Sequence, residues 1–417
     1  MQICKHFGQC GGCSFQDIPY ETQLRSKEEK VKELMSMYGV EAEVKPINAY
    51  PQWFYRNKIE FSFGVHPVRE QSVLPFSAND SLNSQNNSEH SLKSTIFSNG
   101  ANGKLACGFY KKGSHIELID IEECLIFSQA AADILRAVKD FANSRNYPTY
   151  NKFTYKGFLR NLIIRETKFT KEIMLGLVTT SAESLDKKGL IKELISLELE
   201  AKIKSIYWII NDSWSDAVVF EKKELLYGEP FIQEDLDGLL FKIGIDSFFQ
   251  VNPRAIKDFY AKIRTYANLK GEEKVLDLFC GGGGIGIFLA KTAKFVWAVE
   301  IEKAIIDAAW ENAKLNSIEN ISFFASDTRK FLNSQAAFYK DIDVLVINPP
   351  RSGLSNKIKR AILRLTPKRI FYSSCNPDTL FRDLKEFSTD YKIDFIEPFD
   401  FFPHTPHVEC LAALHKA

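Results

Sequence analysis

The chain has 417 residues, 45% of them apolar, enough to bury at least two separate cores. Lys and Arg (54) nearly cancel Asp and Glu (53), so no global basic field advertises a nucleic-acid partner, although a local basic stripe would suffice to hold phosphates. No apolar run is long enough for a helical membrane span, and Met1-Gln2-Ile3-Cys4-Lys5-His6 lacks the apolar core of a signal peptide. The expectation is a cytoplasmic, monomeric protein with no membrane partner.

In such a compartment cysteines are ligands, nucleophiles or core fillers rather than disulfides. Cys4, Cys10 and Cys13 crowd the N-terminus, Cys107 and Cys124 follow later, and Cys280, Cys375 and Cys410 lie in the last third. A helix is expected over 23–37, within an N-terminal segment 1–45. An α+β domain is expected over 46–240, with short strands at 59–63, 116–121, 161–165, 173–178 and 205–211 and a helix at 128–144. Within it, 77–103 is rich in Ser and Asn and is expected to be an exposed, mobile insertion carrying no catalytic residue. The stretch 252–267 reads as a helix capped by Asn252, with Pro253 at its first position. From 274 onward, strand-like runs at 274–280, 295–301, 321–325, 344–348, 369–373, 393–395 and 408–414 alternate with amphipathic stretches such as 303–315 and 356–365. That alternation predicts an α/β domain over 241–417, a Rossmann-like sheet of seven strands covered by helices.

The first of these strands turns through Gly281-Gly282-Gly283-Gly284-Ile285-Gly286 into a helix. Gly281 and Gly283 there let backbone amides approach a ligand closely. Glu300 ends the next strand, where a carboxylate can bind the two hydroxyls of a ribose, and Asp327 follows the third, placed to reach an adenine. These features serve NAD and S-adenosylmethionine alike. Asn348-Pro349-Pro350 after the fourth strand favours S-adenosylmethionine. Amine methyltransferases carry a similar triplet followed by an aromatic; here Arg351 follows.

Ser374-Cys375-Asn376-Pro377 places a thiol at the next strand end, beside that cleft. Carbon 5 of uracil is a poor nucleophile until a thiolate adds to carbon 6, and a separate base must then take the carbon 5 proton. Cys375 can supply the thiolate. In Phe402-Pro403-His404-Thr405-Pro406-His407-Val408-Glu409-Cys410, Glu409 is the chosen base, because burial among apolar neighbours would raise its pKa. Cys280 and Cys410 read as core packing.

These residues resemble the RNA uracil-C5 methyltransferase family, class I enzymes that use S-adenosylmethionine. The resemblance runs through Tyr55-Arg56-Asn57-Lys58-Ile59-Glu60-Phe61-Ser62-Phe63-Gly64, Phe158-Leu159-Arg160-Asn161-Leu162-Ile163-Ile164-Arg165, Phe248-Phe249-Gln250-Val251-Asn252, Asp277-Leu278-Phe279-Cys280-Gly281, Asn348-Pro349-Pro350-Arg351, Ser374-Cys375-Asn376-Pro377 and Phe402-Pro403-His404-Thr405 with Glu409. It implies Cys375 as nucleophile, Glu409 as proton acceptor, and cofactor contacts from Gln250, Phe279, Glu300 and Asn348. Two departures stand out. The family usually has Asp where this chain has Asn348, and often Asn or Thr near Gly284.

Cys4, Cys10 and Cys13 with a distant Cys124 resemble the iron–sulfur site of the family's 23S ribosomal-RNA branch, which implies a [4Fe–4S] cluster with a folding or RNA-shaping role. Tetrahedral zinc is the alternative that spacing leaves open. The N-terminal TRAM barrel of some relatives is expected to be absent, so RNA would be gripped by Tyr55, Arg56, Lys58, Lys111, Lys112, Arg160 and Arg165. The expected reaction is methylation of a uridine in RNA, with 23S ribosomal RNA ahead of transfer RNA. An N-methyltransferase acting through Asn348 and a non-catalytic RNA-binding factor stay open.

Overall fold

The computed structural model describes residues 2–67, 103–215, 217–334 and 341–417. Helix α1 (Tyr20–Tyr38) stops at Gly39, whose φ of 65° lets its amide close back on Met35 and Ser36. A two-residue strand, β1 (Glu43–Val44), follows.

The central unit then lays down β2 (Lys58–Pro67), β3 (Gly103–Tyr110), β4 (Leu118–Asp120), α2 (Ala130–Ser144), β5 (Leu159–Glu166), β6 (Glu172–Thr179), α3 (Lys187–Ile195), β7 (Lys202–Ile210) and β8 (Lys222–Gly228). Its sheet runs β4-β3-β2-β5-β6-β7-β8. Every pairing is antiparallel except β6 with β7, which are bridged by α3 as a crossover. Strands β5 and β6 are buried almost throughout because both faces are covered. Helices α2 and α3 close one face through residues such as Ile134, Val138 and Leu190. Ile232, Ile243 and Ile245 close the other against Ile163, Met174 and Ile209. Two of those isoleucines belong to a hairpin, β9 (Ile232–Leu236) and β10 (Leu239–Ile243), turned by Asp237 and Gly238, both at positive φ (60° and 75°).

After α4 (Pro253–Ala267), capped as expected by the Asn252 side chain on Ala255 N, the order is β11 (Lys274–Leu278), α5 (Gly284–Ala290), β12 (Phe295–Glu300), α6 (Lys303–Leu315), β13 (Ile321–Ala325), α7 (Thr328–Ser334), β14 (Val344–Ile347), α8 (Asn356–Leu365), β15 (Arg369–Ser374), α9 (Pro377–Phe387), β16 (Tyr391–Phe399) and β17 (Glu409–Lys416). The sheet order is β1-β16-β17-β15-β14-β11-β12-β13, parallel apart from β17. This is the class I methyltransferase architecture. One core face gathers Phe259 of α4, Phe288 of α5 and Ile306 of α6. The other gathers Val31 of α1, Phe331 of α7, Ile362 of α8 and Phe381 of α9. Each such side chain contributes about 1.5–3 kcal/mol of burial.

The seven expected strands are present, and β1 adds an eighth, pairing parallel with β16. Helix α1 and strand β1 therefore pack into the C-terminal layer, while Lys5, Gln9 and Cys10 contact the central unit at Glu122, Lys112 and Lys111. Besides β1, β9 and β10, which are not expected either, three elements escape sequence reading for local reasons. Strand β8 is a charged, largely exposed edge; β3 has Ala106, Cys107 and Gly108 at its centre, which weakens its apolar alternation; and α3 is short and interrupted by Gly189, whose amide its N-cap Asp186 needs. The expected insertion 77–103, apart from the residue that opens β3, lies outside the described residues.

Candidate active site at the carboxyl edge of the sheet

Parallel register lines up the cofactor residues. Leu278 pairs with both Val299 and Ile347, so the next residues, Phe279, Glu300 and Asn348, end adjacent strands side by side. Asn348 N donates to Leu278 O at 3.2 Å, and Phe279 sits at φ 61° as the chain turns out of the sheet. The Glu300 carboxylate is fixed by Gly281 N (3.3 Å) and Ile301 N (2.7 Å), which ties the ribose-binding candidate to the glycine loop. Asp327 stands just past β13 and accepts from Lys330 N at 2.9 Å.

Within the loop the glycines do different jobs. A Cβ at Gly281 would meet nothing within 4 Å, leaving that amide open to a ligand, whereas one at Gly283 would strike the Phe323 ring at 2.8 Å. At Gly284 it would lie 2.5 Å from the Tyr260 hydroxyl, so Tyr260 fills the space that a family Asn or Thr would need. Gln250 is held through its backbone. Its carbonyl accepts from Asn57 Nδ2 at 2.8 Å, and the preceding turn is clamped by the buried Arg165 guanidinium on Ile245 O and Ser247 O.

Antiparallel β17 brings the two catalytic candidates together. Ser374 pairs with Cys410 at the last paired position of β15 and β17, Cys375 and Glu409 are the adjoining residues, and the Glu409 charge acts on the Cys375 thiol. Ser373 Oγ donates to Glu409 Oε1 at 2.5 Å. Burial without a cation pushes the Glu409 carboxyl up to about 7. Burial and then the Glu409 charge raise the half-buried Cys375 thiol, while the Arg351 guanidinium, hydrogen-bonded to it, pulls it back down. Arg351 is the residue sequence reading missed. It was legible only as the cation at the end of Asn348-Pro349-Pro350, and its carbonyl laces the two loops by accepting from Asn376 Nδ2 (3.1 Å) and Thr379 Oγ1 (3.3 Å). Strand alternation sends Cys410 into the opposite core, and burial drives the Cys410 and Cys280 thiols well above their ordinary range, which keeps both inert.

The loop 400–408 that leads to Glu409 is gripped by the N-terminus. Asp400 forms a fully buried ion pair with Lys27 of α1 at 2.6 Å. His404 accepts at its carbonyl from Ser14 N (2.8 Å) and Phe15 N (3.2 Å), donates its amide to Gln23 Oε1 (3.0 Å), and stacks on Trp53 at 4.3 Å. Burial holds its imidazole down at about 4, so it is neutral.

Cys4, Cys10, Cys13 and Cys124 line one cavity of about 620 Å³, together with Arg56, Lys58 and Phe248. All four are free thiols, whereas Cys107 is sealed in the central core. Burial pushes Cys13 up to about 11 and Cys124 up to about 12, with the neighbouring thiols adding to the rise. Among the described residues no three His, Cys, Asp or Glu side chains are gathered closely enough to hold a metal ion.

Three expected RNA contacts are corrected by burial. Tyr55 is sealed, with its hydroxyl on Pro403 O at 3.2 Å. Arg160 spends its guanidinium on Asn211 O (2.8 Å), Ser213 O (2.6 Å) and Ser215 O (2.6 Å). Arg165 is the linker clamp already described. Arg160 and Arg165 lie on β5, both of whose faces are covered, and Tyr55 lies in the loop before β2, so none of the three is marked as buried by local pattern. Lys111 and Lys112 are exposed, Lys111 being paired with Glu117.

Among the described residues no helix is long and apolar enough to cross a membrane. The sequence profile of a family described as tRNA (Uracil-5-)-methyltransferase matches residues 217–417. An uncharacterised RNA methyltransferase of Caldanaerobacter subterraneus is 34% identical, covering 99% of this chain and 84% of its own length. One from Bacteroides thetaiotaomicron is 33% identical, covering 99% of this chain and 87% of its own. The crystal structure of Pyrococcus abyssi tRNA (uracil-54, C5)-methyltransferase in complex with S-adenosyl-L-homocysteine matches with a TM-score of 0.75 at 29% identity, covering 97% of this chain and 86% of that one.

Proposed function

The chain belongs to the RNA (uracil-5-)-methyltransferase family, and on that footing we propose that Cys375 and Glu409 methylate carbon 5 of a uridine in 23S ribosomal RNA. The observation that carries the chemistry is a half-buried thiol within electrostatic reach of a buried carboxyl that has no cation beside it. S-adenosylmethionine supplies an electrophilic methyl on sulfur. Cys375 Sγ, as thiolate, bonds to carbon 6 and shifts the ring electrons to carbon 5, which takes the methyl. Glu409 then accepts the carbon 5 proton, the electron pair re-forms the ring double bond, and the carbon–sulfur bond breaks to return the thiolate. Arg351 stabilises the thiolate at both ends of the cycle. Gln250, Phe279, Gly281, Gly283, Glu300, Asp327 and Asn348 would hold the cofactor. A neutral amide at Asn348 can still hydrogen-bond to it or to the uracil edge.

Cys4, Cys10, Cys13 and Cys124 would hold a [4Fe–4S] cluster. Four thiols lining one cavity supply the donor type such a cluster takes, and tetrahedral zinc is the alternative that the same donors would also suit. The cluster would staple residues 4–13 to the central unit, and through Ser14 and Phe15 support the loop before Glu409. Cysteine ligands favour ribosomal RNA. The likeness to an archaeal transfer-RNA enzyme carries the second reading, transfer RNA.

The test uses 5-fluorouridine-substituted 23S fragments and transfer RNA, each with cofactor. Fluorine cannot leave as a proton, so an adduct at Cys375 is expected, on ribosomal fragments first. Turnover without an adduct on either RNA would refute the covalent route. Iron analysis after anaerobic purification tests the cluster, and zinc without iron would refute it.

A further inference from the structure

Helices α7 and α8 cover the same face of the sheet, and both start at the carboxyl edge, just past Asp327 and the Asn348–Arg351 turn. Between them runs an open cleft of about 560 Å³ lined by Arg329, Lys330, Asn333, Lys357, Arg360 and Arg364. Among the described residues no carboxylate lines it, and all of these side chains except the half-buried Arg329 are exposed. Neighbouring cations behave otherwise. Lys359 is paired with Asp383 and Glu386, Lys368 with Asp343, and Arg382 with Asp383. Among the described residues the five groove cations have no such partner; Arg364 reaches across only to Asn333 Oδ1, at 3.2 Å.

A chain whose net charge is +1 does not gather five unpaired cations by composition. Their mutual repulsion is a standing cost that an anion would relieve. We propose that this groove binds the phosphodiester backbone of the RNA substrate on one side of the nucleotide being modified, an inference that rests on the chain's acting on RNA. Arg329 and Lys357, second residues of their helices, stand at the end nearest the active site, and Lys357 to Arg364 extends about 10 Å away from it. Among the described residues no aromatic side chain lines the groove, so it grips phosphates without reading bases.

The triple variant K357Q/R360Q/R364Q removes three exposed charges. For ribosomal RNA fragments extending well beyond the target uridine, its dissociation constant should rise roughly tenfold. Its plot of log affinity against log salt should become shallower by about 2, near 0.7 for each lost phosphate contact on a single strand. The control K270Q/K291Q/K294Q, at the amino edge of the sheet, should keep the wild-type slope, and S-adenosylhomocysteine affinity reports that the cofactor cleft is intact. Wild-type affinity and slope in the groove variant, or an equal loss in the control, would overturn the proposal; so would groove-dependent binding of polyglutamate with RNA affinity unchanged. The readout is binding. A protein that held RNA through this groove yet methylated none would sink the proposed function and leave the groove standing.

Discussion

Asp400 and Glu409 bracket one loop, are both buried and both have their carboxyls pushed up by burial, but only Asp400 has a cation beside it. Around Asp400, α1 brings Lys27 to 2.6 Å, so the cation offsets much of the burial that pushes its carboxyl up. Around Glu409 only the Ser373 hydroxyl helps, and the carboxyl rises to about 7. A buried carboxylate with a cation fixes structure. One without a cation is left poised to take a proton near neutral pH.

The sharpest test of the second region is the thiol beside Glu409. Cys375→Ala should lower methyl transfer by roughly ten-thousandfold or more and abolish the fluorouridine adduct, measured with labelled cofactor and by gel shift. Glu409→Gln should lower turnover by roughly a hundred- to ten-thousandfold while leaving a covalent protein–RNA species on ordinary uridine, because addition proceeds and proton removal does not. Free RNA alone in that variant would show that Glu409 is not the base.

In the first region, Lys27→Met leaves Asp400 buried without its cation and should cost about 3–5 kcal/mol in urea unfolding, much of it recovered in K27M/D400N. Equal losses in single and double variants would mean that the pair is not an electrostatic unit. Glu409, with no cation to offset its burial, should show its charge state in the pH dependence of stability. Unfolded, it ionises near its ordinary 4.5; folded, near 7. As pH rises through that window the unfolded chain gives up the proton first, so stability falls, by roughly 3 kcal/mol once both states are ionised. Glu409→Gln should abolish that fall, and the wild-type rate should climb with pH through about 7. The smallest effect is expected at Arg351. Arg351→Gln should move ionisation of Cys375 to higher pH, read from the pH dependence of its alkylation by peptide mass spectrometry.

The sequence by itself determined the alternation of strand and helix after residue 274, the turns at Gly281–Gly283 and Asn348–Pro350, and the residues that end each strand. Period, turn chemistry and caps are local, as Asn252 capping α4 illustrates. Tertiary structure alone decided that β17 inserts antiparallel and so brings Glu409 to Cys375, that His404 is clasped by residues 14–23, and that Tyr55, Arg160 and Arg165 point inward while five cations of α7 and α8 share a groove. Each of these joins stretches far apart in the chain. A side chain's burial and charge state depend on which layer is packed against it, and no local pattern carries that information.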